Sequence, residues 1–160
     1  MLVLLDDRRC TFRAGDGEHV AALGTAVLGA ALSGDPPRAD DLSNAIGAVH
    51  DALDDVLREL PGGVAEAAVD VAGAAMTAIA DIEVGAAAAL PFEISRDAAE
   101  DVFRTVATER RADRARNPGL APDQVDAVVP AACVLVGLMR RLQLDRVRIV
   151  TTSPDDDGTP

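Results

Sequence analysis

The sequence predicts an α/β domain whose mixed sheet starts as a strand meander and grows by helix–strand alternation. Three observations point there. Short apolar or alternating runs joined by tight turns fill residues 2–23. Asp40–Leu60 and Pro122–Leu142 carry apolar residues at helical spacing. Between and after them, strand-like and helix-like segments alternate, the layout of helices packed on a sheet.

Leu2–Leu5 is a continuous apolar run, suited to a strand covered on both faces. Cys10–Ala14 alternates, and Gly15-Asp16-Gly17 supplies the left-handed positions of a tight turn, after which His19–Leu23 returns as a third strand. Gly24–Leu32 is a short helix closed by Ser33-Gly34-Asp35-Pro36-Pro37. In Asp40–Leu60 the residues Leu42, Ile46, Val49, Leu53, Val56 and Leu60 form one stripe, and Pro61-Gly62-Gly63 stops the helix. Val64–Val71 reads as a strand and Ala74–Val84 as a helix entered through Ala72-Gly73. Leu90–Ile94 is a short strand that Pro91 confines to an edge. Ser95 is the expected N-cap of a helix Arg96–Thr108, with Asp97, Glu100 and Asp101 near its positive end. Pro122 opens the last helix, and Arg146–Val150 is the closing strand. Right-handed crossovers make the later strands add in parallel. This is the arrangement of a ribonuclease-H-like half-domain, as in actin-like ATPases, although the pattern alone also fits other α/β sandwiches. One domain spans 1–153, and 154–160 is expected to be an acidic disordered tail.

Composition narrows the function. The 160 residues are 49% hydrophobic, with three Phe and neither Trp nor Tyr. A net charge of −12 and the lack of aromatic platforms argue against nucleic acid as a partner. No segment approaches the roughly 18 apolar residues of a membrane span, and MLVLLDDRR does not read as a signal peptide. The chain reads as soluble and cytoplasmic, with no membrane partner. Cys10 and Cys133 lie far apart in the sequence, and Cys133 is a small core residue of the last helix.

Leu23-Gly24, Ser33-Gly34-Asp35-Pro36-Pro37 and Pro118-Gly119-Leu120 with Asp126 stand in an order that resembles the exopolyphosphatase / guanosine-pentaphosphate phosphatase (Ppx/GppA) family. There, an "LG" strand end, a "SDPP" turn and a "PGL-x-P-x-R-x-D" segment belong to the second of two actin-like domains. The resemblance implies a phosphoanhydride hydrolase fold, yet the departures fall where the phosphate chemistry would be. The family's Gly-rich "DIGGGS" loop, whose bare amides approach phosphate oxygens, is replaced by Leu5-Asp6-Asp7-Arg8-Arg9-Cys10. Of the "GGT" loop only Gly73 and Thr77 remain, as phosphate-loop remnants, and Gln124 stands for the Arg of "R-x-D". The "HG" pair near Leu90–Phe92 is missing, and the family's general base belongs to a first domain that this chain is expected to lack.

No catalytic residue and no metal ligand set is therefore assigned, and no cofactor is expected unless the chain is a hydrolase half, which would need Mg²⁺. Asp70, on a strand where the family has glycine, reads as a solvated edge position before a metal ligand. His19 and His50 read as structural. Arg104, Arg110, Arg111, Arg114 and Arg116 form the candidate anion patch for a weakly held phosphate-containing ligand, although Glu109 and Asp113 interleave with them and favour an ordinary ion-paired surface. The leading expectation is a degenerate, non-catalytic domain acting through association, as a homodimer or with a separate protein, across Gly73–Met76 and Ala86–Leu90. Two alternatives stand beside it: one half of a split hydrolase, and an unrelated α/β interaction module.

Overall fold

The computed structural model describes residues 1–60, 62 and 68–152. Six strands form one sheet in the order β3-β2-β1-β4-β6-β5. Strands β1 (Leu2–Leu5), β2 (Cys10–Ala14) and β3 (Gly17–Ala21) are the antiparallel meander, and Ala14 pairs with Gly17 across a two-residue turn. That turn is tighter than the sequence suggested, because Gly15 at φ +57° lets the chain reverse within Gly15-Asp16. Strand β4 (Asp70–Ala72) adds parallel to β1, and β6 (Arg146–Val150) adds parallel to β4. Strand β5 (Phe92–Ser95) departs from the parallel expectation and runs antiparallel along β6. Its edge position, directly after Pro91, is where a strand can lack one neighbour without stranding a central ladder. The sequence reading of Val64–Val71 as strand lies partly outside the described residues, as do Pro61 and Gly63 of the helix stop and the tail 154–160.

Helices α1 (Thr25–Ala30), α2 (Ala39–Glu59), α3 (Ala74–Val84) and α4 (Arg96–Thr108) fall within about two residues of where the sequence placed them. The Ser95 hydroxyl accepts from Ala98 N at 3.1 Å and caps α4 as expected. A four-residue α5 (Arg111–Arg114) follows. The last helix is a correction. Pro122–Gln124 is a separate 3₁₀ turn, and α6 runs only from Val128 to Arg141. Pro130 explains the break: in one helix from Pro122 its ring would meet the carbonyl of Asp126, whereas three residues from a helix start it is harmless.

Helix α6 is the hub. Every residue from Val128 to Met139 is buried, and α1, α2, α3 and α4 pack around it. A Cβ on Gly137 would lie 3.0 Å from Val49 Cγ1, so α2 and α6 touch closely there. The helical layer covers the sheet face that carries Val3, Phe12, Val71 and Ile149, all at most 1% exposed. The register puts Leu2, Asp70, Arg148 and Glu93 in one row on the other face. Among the described residues, no helix is long and apolar enough to cross a membrane.

Candidate functional site

In open α/β sheets ligands meet the carboxyl ends of parallel strands, here the ends of β1 and β4. The β1–β2 loop, Asp6–Arg9, folds onto itself. Arg8 N and Arg9 N both donate to Asp6 Oδ1, at 2.7 and 2.8 Å, while Asp6 N donates to Arg9 O at 3.1 Å. Two successive amides aimed at one point form an anion nest, and the anion in it is the loop's own carboxylate. Partial burial raises the Asp6 pKa, but the Arg8 and Arg9 amides and the Arg9 guanidinium outweigh it and hold the carboxyl below its usual value. The loop's carbonyls are also engaged: Thr25 N donates to Asp6 O at 3.0 Å and Ala26 N to Asp7 O at 2.9 Å, at the start of α1. A Cβ at Gly24 would fall 2.2 Å from the Arg8 backbone, so the "LG" glycine is what lets the loop lie flat on the helix.

Gly73, at the β4–α3 corner, has φ +136°, and a Cβ there would sit 2.2 Å from Leu5 O. Only glycine fits where the end of β1 crosses so closely. Thr77, half-buried, lies one turn into α3, its amide donating to Gly73 O at 3.0 Å. No side chain caps the α3 N-terminus and no acidic residue lies in its first turn. The corner keeps a positive helix end. Among the described residues, no group of three or more His, Cys, Asp or Glu is arranged to hold a metal.

Of the five arginines, Arg114 is buried and Arg104, Arg110, Arg111 and Arg116 are exposed. Arg104 pairs with Asp101 at 2.9 Å along α4. Arg111 binds Asp126 through both ends of its guanidinium, at 2.7 and 3.1 Å, and Arg111 N donates to Asp35 Oδ1 at 2.7 Å. Arg114 is only 5% exposed. It donates to Val106 O, Val125 O and Glu109 O at 2.9, 3.3 and 3.1 Å, which closes the carboxyl end of α4. Burial pulls its pKa down from the usual guanidinium value. Arg110 and Arg116 stay exposed. Sequence reasoning missed the capping role; its signal was an arginine six residues past the last residue of a helix whose final carbonyls need donors.

The other singled-out residues are structural. Asp70 forms a two-point ion pair with Arg148 across β4 and β6, both contacts at 2.8 Å. His19 Nδ1 lies 2.6 Å from Glu59 Oε2 and ties β3 to α2. His50 Nε2 is buried without a hydrogen-bond partner among the described residues. Gly119, at φ +89°, brings its backbone against α3, where a Cβ would be 2.3 Å from Asp81 O. The Pro-Gly-Leu segment is thus a docking turn, with Leu120 buried beneath it. The surface expected to join Gly73–Met76 with Ala86–Leu90 is reduced at its first part, because Ala75 and Met76 are core residues and only Ala74 is exposed. Val84 is 50% exposed, and Ala86, Ala87 and Ala89 are exposed beyond the helix end.

Sheet order, crossover pattern and helical layer define a ribonuclease-H-like half-domain of the actin-like kind. No family model and no curated protein matches the sequence. Solved structures do match in fold. An exopolyphosphatase-like protein superposes with a TM-score of 0.83 at 16% identity, over 94% of this chain and 53% of its own. A Ppx/GppA phosphatase of Aquifex aeolicus, the type II variant, gives 0.80 at 13% identity over 94% and 52%. An exopolyphosphatase of Cytophaga hutchinsonii gives 0.75 at 17% identity over 95% and 53%. The chain therefore spans about half the length of the solved structures it matches.

Proposed function

We propose that this chain is a degenerate domain of the Ppx/GppA kind, corresponding to the second half of those phosphatases, that does not hydrolyse phosphoanhydrides and acts by protein association. The observation that carries the reading is the Asp6 carboxylate seated in the amide nest of its own loop. A phosphate approaching that loop meets a fixed negative charge where it needs bare amides, and loses the main source of electrostatic stabilisation of phosphoryl transfer. A cytoplasmic location belongs to the same reading. The test is phosphate release from polyphosphate and guanosine pentaphosphate by the pure protein with Mg²⁺. No release is expected; turnover abolished by Thr77→Ala would overturn the proposal.

The split-hydrolase reading has one observation in its favour, the uncapped N-terminus of α3 behind Gly73. A separate chain bringing the other half would face that corner and supply the base, with Mg²⁺ as the metal. It predicts Mg²⁺-dependent activity only on mixing the two chains, lost in Gly73→Val.

A further inference from the structure

A cavity of about 540 Å³ opens between α1, the 33–37 turn, α5 and the start of α6. Its size lies in the range of small-molecule sites, about 300–1,000 Å³. Leu32, Val129 and Pro130, with Ala26 and Gly29, give it an apolar floor. One wall carries a hydroxyl, that of Thr25. Thr25 is only 9% exposed, lines the cavity, and its hydroxyl has no hydrogen-bond partner among the described residues.

The rim decides the sign of the ligand. Three carboxylates, Asp35, Asp123 and Asp126, face two guanidiniums, Arg111 and Arg114. Both cations are committed: Arg111 to Asp126 at two points, and Arg114 to three backbone carbonyls. Two of the three carboxylates are not. Asp35 uses one oxygen, on Arg111 N, and the Asp123 carboxylate makes no hydrogen bond among the described residues. Unspent acceptors, a net negative rim and a chain of net charge −12 draw in a cation and repel an anion.

We propose that this cavity binds a small organic cation, an amine on a compact apolar body. The body lies on Leu32, Val129 and Pro130, the ammonium donates to Asp35 and Asp123, and the Thr25 hydroxyl accepts a further N–H. This site is independent of the nest at Asp6 and of the non-catalytic reading, and it stands whether or not phosphate is hydrolysed.

Three probes share one body and differ in charge: cyclohexylmethylamine, cyclohexylmethanol and cyclohexanecarboxylate. Titration followed by amide NMR shifts gives the affinity of each. The amine is expected to bind at least five-fold tighter than the other two, shifting residues 25–37 and 123–130. Asp123→Asn, which removes no side-chain hydrogen bond or ion pair among the described residues, should weaken the amine at least three-fold and leave the alcohol unchanged. Gly29→Leu, filling the floor, should weaken the amine at least ten-fold, while the thermal midpoint reports that the variant is folded. Tighter binding of the carboxylate, equal binding of the alcohol, or no shift from any probe would each overturn the proposal.

Discussion

Replacing Arg114 by methionine removes the guanidinium and keeps most of the side-chain volume. The structure sets the cost. Two carbonyls at the end of α4, Val106 O and Glu109 O, and Val125 O after the 3₁₀ turn lose a charged donor, at 2.9, 3.1 and 3.3 Å, in a residue only 5% exposed. Hydrogen bonds to a charged group contribute about 1.5–3 kcal/mol each, with less than additive sums. Part of the loss is returned, because the buried cation no longer carries its desolvation cost, the same cost that depresses its pKa. A net loss of about 3–4 kcal/mol follows, a large share of the roughly 5–15 kcal/mol that holds a domain together. A chain of this size loses about 2–4 °C per kcal/mol, so the melting midpoint should fall by roughly 6–16 °C. Arg114→Lys keeps the charge at the negative helix end but reaches fewer carbonyls, and should recover about a third of the loss. The assay is circular dichroism melting of the three proteins with polyphosphate titrations beside it. A methionine variant melting within about 2 °C of the parent refutes the capping role, and lost polyphosphate binding in the same variant would restore Arg114 to an anion patch.

Gly73→Ala forces a Cβ against Leu5 O at φ +136° and should cost about 2–4 kcal/mol by strain and displacement of β1, read by urea unfolding. Were Gly73 there for an anion alone, stability would not change. Glu100 binds Arg140 at two points, both 2.7 Å, and those bonds hold its pKa below the ordinary 4.5. A depressed carboxylate pKa stabilises above the unfolded value and loses that contribution as pH falls through the folded one. Glu100→Gln should therefore cost about 1 kcal/mol above pH 5, with the difference from the parent closing below about pH 4 in urea melts run from pH 3 to 7. Ala87→Asp puts a charge on the exposed run after α3. If association uses that surface, sedimentation at micromolar concentration should move from dimer towards monomer, and an unchanged profile excludes the run.

The fold was legible because its cues are local. Apolar spacing fixed α2 and α4, Ser95 marked a cap, and Gly15-Asp16-Gly17 marked a hairpin. The two elements read wrongly depended on longer reach. Pro130 breaks the final helix only because a helix begun at Pro122 would place it in an interior turn, and β5 runs antiparallel because of what lies beside it in the sheet. The site was legible as a set of departures, since Leu5–Cys10 lacks the glycines that an amide cradle needs. What filled the cradle was not, because an aspartate two and three residues before two amides reads equally as a repelling charge. Crowding in sequence says nothing of direction, and Arg114 turns inward while Arg104 lies along a different helix.

The burial of α6 on all sides has a consequence for how the chain is made. Val49 on α2 rests against Gly137 on α6, 88 positions later. During synthesis from the amino end, α2 emerges with its apolar stripe and no hub to lay it on. At about 5–20 residues per second, that stripe waits roughly 4–18 s before α6 has been translated. The helix on which α1, α2, α3 and α4 pack is the last one translated.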